Sequence, residues 1–404
     1  MEFHAGLWWR HQLLVWANTS LPAERFQDQS IYGVGRDWPI SYDDLEPDYC
    51  DAEGIMSIAG PDDIAIVSPR SKPYPLGPHR MTTPDTVMKA AQPDKHFALP
   101  TARASVATET RSACCDSARC NLCPVDAKFT ALNGFRHLLQ NENNSICFGA
   151  KVLRFGHTNG VVSDVVFENQ RHERRVAGSL FVLGANALHS PPILLRSDIN
   201  HPLTGRGINE QIGMNFEVFL DGMKNFDGST ITTGINLTAY EGDFRKSTGA
   251  ALIYFENRWI YEFRKEWGRW RESLPLTIAI ENPPQDDNLV TIDGNGEPVV
   301  QYGQDSPYGL KAADAMHANL PNILQPLPVE KIVYKGRRAT ESHIQGTLRM
   351  GSSRDDSVVD RNLLHHDVRN LVVVGTSLFP TCPPMNPSLT AAALSLWGAR
   401  QLLA

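Results

Sequence analysis

Four consecutive apolar residues, Leu371 to Val374, lie between Asn370 and Gly375. A short apolar run closed by turn residues predicts a buried strand. Downstream, Asn386-Pro387-Ser388 opens an Ala/Leu-rich tail. Asn before Pro predicts a helix with Asn386 as its cap and Pro387 at the first helical position. The chain therefore closes as strand, loop, helix. A second apolar strand, Ser179 to Leu183, enters Gly184-Ala185-Asn186. Upstream, Thr83-Pro84-Asp85 starts a short helix reaching about Ala91, and Phe129, Leu132, Phe135, Leu138 and Leu139 recur at helical spacing from Ala127 onward. Strand-like runs at Cys147 to Phe155 and Val161 to Phe167 flank a His-Thr-Asn-Gly turn, which predicts a hairpin.

From about Asn215 to Arg338 the pattern changes to spaced strands such as Leu276 to Ile280, and Leu289 to Ile292 before the turn Asp293-Gly294-Asn295-Gly296. Strands separated by Gly, Asn and Pro turns predict an antiparallel sheet. The Trp- and Arg-rich piece from Trp259 to Trp270 is expected to cover one face of it. The first eighty residues have no sustained period and are expected to be irregular.

The 404 residues, 42% of them hydrophobic, suffice for a large core and two domains. A net charge of −7, with no basic cluster interleaved with aromatics, argues against nucleic acid. No stretch approaches the roughly 20 apolar residues that span a bilayer. The start lacks the layout of a secretory signal, because Glu2 comes early and Arg10-His11-Gln12 breaks the apolar run. Of the seven cysteines, Cys114, Cys115, Cys120 and Cys123 fall together, spaced C-C-x4-C-x2-C-P. Zinc sites pair two C-x2-C units or add His at set spacing, and neither pattern is present. Disulfides are compatible with a secreted chain, and thiolates before Pro also suit an iron–sulfur cluster.

The stretch E-S-H-I-Q-G-T-L-R-M-G from Glu341, together with Asn386 before the last helix, resembles the C-terminal segment of the glucose-methanol-choline (GMC) flavin oxidoreductases. Tyr32-Gly33-Val34-Gly35-Arg36-Asp37-Trp38-Pro39 and Phe181-Val182-Leu183-Gly184-Ala185-Asn186 extend the likeness. The resemblance implies an α/β flavin-binding domain from residues 1–214 and 341–404, and an antiparallel β-sheet substrate domain from residues 215–340. It implies FAD as cofactor, with contacts from Val152, Ala185, Gly375, Thr376, Pro387 and Thr390, and a sugar or other alcohol as substrate. Many relatives carry Asp where Gly375 stands. His343 and Asn386 take the catalytic positions: a neutral imidazole as base, and an amide beside flavin and substrate where some relatives carry His.

Within the family the cysteines resemble those of bacterial sugar dehydrogenase subunits with a three-iron cluster. Cys114, Cys120 and Cys123 match best, the last gap being one residue short. That subset implies a cytochrome electron acceptor, a small escort subunit and a periplasmic or membrane-associated setting. The family's opening strand, GxGxxG turn and helix for the FAD pyrophosphate have no counterpart: Gly33-x-Gly35, Gly205-x-Gly207 and Gly294-x-Gly296 have Trp38, Glu210 and Val299 at the third glycine position. The resemblance begins near Gly6, so the chain alone is expected to purify with little flavin. Two other readings follow, a truncated remnant that cannot hold flavin and a zinc-stabilised binding module. Visible absorbance and metal analysis separate them.

Overall fold

The computed structural model describes residues 26–118, 120, 123–258, 269–338 and 340–403. The likeness at Gly6 and all but the last two residues of the expected cover from Trp259 lie outside them. Helices α1 (Asp28–Tyr32) and α2 (Tyr42–Met56) lead to α3 (Thr83–Ala91), which starts where Thr83-Pro84-Asp85 predicts. Strand β1 (His96–Ala98) follows, then two single-turn helices, α4 (Ala131–Gly134) and α5 (Arg136–Leu139). The longer helix expected from Ala127 does not form. Thr130 caps a new start at Ala131, Asn133-Gly134 interrupts the run, and Leu132, Leu138 and Leu139 remain exposed.

Strands β2 (Lys151–Thr158), β3 (Val161–Asn169) and β4 (His172–Ala177) make an antiparallel meander, so the expected hairpin is present with one more strand. Next come β5 (Phe181–Leu183) and α6 (Asn186–Arg196). The sheet strands β6 (Ile212–Leu220), β7 (Thr232–Asn236), β8 (Ala251–Glu256) and β9 (Ser273–Ile280) follow, then the hairpin β10 (Leu289–Ile292) and β11 (Pro298–Gln301). Helix α7 (Pro307–Ile323), β12 (Val329–Arg337), β13 (Leu371–Val373) and α8 (Ser388–Leu403) complete the order.

Two sheets position the site. The larger is antiparallel with order β1-β7-β8-β9-β6-β12. Alternation along its strands turns Met214, Phe216, Val218, Ile253, Phe255, Leu276 and Ile278 toward Met316 and Leu320 of α7, in one apolar layer. The intervening positions on the opposite face include Asn215, Glu217, Tyr254, Glu256 and Thr277. The smaller sheet pairs β5 and β13 in parallel, Phe181 opposite Leu371 and Leu183 opposite Val373. Both expected apolar strands thus lie side by side, in a chain that mixes α/β structure with antiparallel sheets.

Candidate functional site

Parallel strands end together, so the loops after β5 and β13 emerge side by side, as they do at ligand crevices of α/β sheets. Ala185 and Gly375 occupy these exits, and Val374 N–H donates to Leu183 O at 3.0 Å. Gly375 has φ +95°, and a Cβ built on it meets nothing within 4 Å. Thr376 joins this exit to the His343 loop, its hydroxyl donating to Ile344 O at 2.8 Å and its carbonyl accepting from Gly346 N–H at 3.0 Å. Beside this junction the Ser377 hydroxyl and both amide atoms of Gln345 are buried without a hydrogen-bond partner. An open strand end lined by unsatisfied polar groups fits a planar ligand with hydrogen-bonding edges, such as a flavin ring.

The His343 loop is pinned from both sides. Gln345 exchanges backbone hydrogen bonds with Asn209, and His343 N–H donates to Glu210 Oε1 at 3.1 Å. Ser342 (φ 61°) and Thr347 (φ 82°) flank the segment in the left-handed region, which non-glycine residues occupy at a cost. The His343 Nδ1 lies 2.8 Å from Gln211 Oε1, and its Nε2 has no hydrogen bond among the described residues. Burial, helped by the charge of Arg338, pushes the imidazole down to about 4, so the ring is neutral at physiological pH. Nearby, burial pushes the Glu341 carboxyl up to about 7 against the opposing pull of Arg338, whose guanidinium lies 3.0 Å away.

Asn386 precedes α8 without capping it. The helix begins at Ser388, one residue later than the Asn-Pro rule predicts, and Pro387 O accepts from Ala391 N–H. Asn386 Oδ1 instead accepts from the Tyr254 hydroxyl at 3.1 Å, which leaves the amide N–H groups as donors. Gln211 binds both halves of the site, since its amide nitrogen donates to Pro383 O at 2.6 Å and Met385 O at 2.7 Å. His343 and Asn386 therefore belong to one stitched region. Of the remaining expected contacts, Val152 lies on β2, half-buried against the core, and Pro387 is buried at the helix entry. Thr390 is buried with its hydroxyl 2.8 Å from the Tyr49 hydroxyl, on the packing side of α8.

The cysteines are all free. Cys120 is buried, Cys114 and Cys123 are half-buried and Cys115 is exposed. Buried Arg103 and Lys128, opposite one another in a β-bridge, interact electrostatically with Cys114, Cys120 and Cys123, and Ala127 N–H donates to Cys123 Sγ at 3.2 Å. Thiols facing buried cations suit an anionic cluster in chemistry. Among the described residues no three His, Cys, Asp or Glu side chains are grouped to hold a metal ion. Gln211, Tyr254, Arg338, Arg103 and Lys128 carry no motif in the sequence. Only their contacts reveal them.

Residues 304–395 match the family model for GMC oxidoreductases, in its C-terminal domain. The chain is 28% identical to the fructose dehydrogenase large subunit of Gluconobacter japonicus, over 96% of this chain and 79% of that one. The chain is thus similar to the GMC oxidoreductases, and residues 304–395 carry their C-terminal domain. It is 26% identical to the 6'''-hydroxyparomomycin C oxidase of Streptomyces lividus, over 92% of this chain and 73% of the other. Pyridoxine 4-oxidase from Mesorbium loti shares the fold at a TM-score of 0.64 and 17% identity, covering 95% of this chain and 81% of that one. An FAD-dependent oxidoreductase from Chaetomium thermophilum does so at 0.65 and 12%, covering 96% and 84%. The GMC relatives make this chain an oxidoreductase. Among the described residues no helix is long and apolar enough to cross a membrane.

Proposed function

We propose that this chain uses FAD to oxidise a hydroxyl group of a sugar or other alcohol, with His343 as the base. The observation that carries the reading is a neutral imidazole with a bare Nε2, in the same stitched region as an amide whose N–H groups are free to donate. A flavin, when bound, supplies the acceptor for the hydride. His343 Nε2 takes the hydroxyl proton, and Asn386 donates to the substrate oxygen as negative charge grows on it. Asn215, Glu217, Glu256 and Thr277 offer a polar sheet face suited to several hydroxyl groups, in keeping with relatives named for fructose and for 6'''-hydroxyparomomycin C. Ala185, Gly375 and Thr376 would hold the ring, with Val152, Pro387 and Thr390 in support. The remnant reading has less behind it, because His343 and Asn386 stand in one hydrogen-bonded region linked by Gln211.

The test is anaerobic reduction of FAD-loaded enzyme by a panel of D-fructose, D-glucose and methanol. One of the sugars should bleach the flavin, and His343→Ala should slow the bleaching by about 10²–10⁴-fold without loss of flavin. Unchanged bleaching in that variant removes His343 from the mechanism.

The finer reading assigns Cys114, Cys120 and Cys123 to a three-iron cluster serving a cytochrome acceptor, with a small escort subunit and a periplasmic or membrane-associated setting. It rests on the family resemblance and on the two buried cations facing the thiols. Anaerobically prepared protein should contain iron, and Cys120→Ser or Cys123→Ser should lose it while the flavin still bleaches. Iron-free wild-type protein refutes the assignment.

A further inference from the structure

We infer that Gln211 is a positioning residue that fixes His343 in the tautomer with its proton on Nδ1 and its lone pair on Nε2. The inference builds on the reading of His343 as the base. An amide nitrogen has two N–H donors and no acceptor, and a carbonyl oxygen can only accept. The Gln211 nitrogen spends its two donors on Pro383 O and Met385 O, at 2.6 and 2.7 Å. Reversing the amide would set its oxygen against both carbonyls, so the orientation is determined by chemistry. Gln211 Oε1 therefore faces His343 Nδ1 at 2.8 Å and can only accept. Nδ1 must carry the proton. A neutral imidazole has one ring proton, so Nε2 is left with a free lone pair, which is what a general base needs.

Among the described residues no other hydrogen bond to the His343 ring competes for this role. The Glu210 carboxylate accepts from the backbone N–H of His343, not from its ring, and the nearest cation, Arg338, pairs with Glu341. Gln211 is 5% exposed and lies directly before β6, so the buried strand aims it. Through Met385 the same side chain holds the backbone next to Asn386. One amide thus sets the tautomer of the base and locates the donor across from it.

The deciding experiment reads the ring protons directly. In flavin-loaded enzyme labelled with 15N in its histidine rings, long-range 1H–15N spectra at pH 7 separate protonated from bare nitrogens, and His343 is assigned by the signals missing from His343→Asn. The expected wild-type pattern is a protonated Nδ1 and a bare Nε2. Gln211→Met should populate both tautomers and slow flavin bleaching roughly tenfold, the size of one lost hydrogen bond. The rate is read with whichever sugar of the panel above reacts fastest. A purely structural Gln211 would lower thermal stability and leave the ring pattern alone. A wild-type proton on Nε2 overturns the inference even if the variant does not fold, as does an unchanged pattern in Gln211→Met. Wild-type bleaching in His343→Ala is a different failure: it removes the base, whichever nitrogen carries the proton.

Discussion

Gly346 shows how tightly single residues are constrained around the candidate base. Its φ is +77°, and a Cβ there would stand 2.3 Å from Gly207 O and 2.7 Å from Asn209 Nδ2. The first obstacle is backbone and cannot rotate away. Gly346→Ala should therefore cost on the order of 2–4 kcal/mol, the sum of a left-handed alanine and an overpacked contact. Thermal denaturation checks the cost, and the bleaching rate should fall with it, because Gly346 N–H ties the His343 loop to Thr376. A stable, fully active alanine variant would mean that the loop relaxes without moving the ring.

At the scale of elements, α3 demonstrates what the sequence makes legible. Thr82 and Asp85 form a capping box, the Thr82 hydroxyl accepting from Asp85 N–H at 3.3 Å and Asp85 Oδ2 accepting from Thr82 N–H at 3.0 Å. Local chemistry of that kind is written in consecutive residues. Asp85 does more than cap, since it also meets His96 Nε2 at 3.0 Å and accepts from the Thr233 hydroxyl at 2.5 Å, joining the helix to β1 and β7. Asp85→Ala should thus cost roughly 3–5 kcal/mol, more than the loss of a cap alone, by leaving buried polar groups unpaired. Chemical denaturation measures this, and a loss near 1 kcal/mol would reduce Asp85 to a cap. The strands at Phe181 and Leu371 were equally legible, because each is a short apolar run with turn residues after it. The apolar spacing after Ala127 misled, since periodicity does not register an Asn-Gly break. Asn386 misled by one position, because a tertiary acceptor role for Tyr254 outweighed a local cap. Gln211 was beyond reach: its partners lie 132 and 174 residues away, and no local pattern encodes such a meeting.

Across the whole molecule, buried titratable groups pull stability in opposite directions with pH. Burial holds His343 and His365 at about 4, below the 6.5 of a free imidazole. Their contribution is complete above pH 6.5 and is lost as pH falls toward 4, because the unfolded chain takes up protons that the folded one refuses. Glu53 and Glu341 are held at about 7 by burial, above the usual 4.5. Theirs is complete below pH 4.5 and is lost as pH rises through 7, where the unfolded chain ionises first. Between these limits the two sets oppose, so from about pH 4.5 to 6.5 the carboxyls offset part of the rise that the histidines give. Glu341→Gln isolates one term, since an amide keeps the shape and cannot ionise. The stability of wild type relative to this variant should drop by roughly 1–3 kcal/mol between pH 4.5 and pH 8, part of it offset by the Arg338 pairing. Denaturant titrations at the two pH values measure the change. A difference that stays constant across the range would mean that the carboxyl ionises as it does in water, and that the wall beside His343 is wetter than its burial implies.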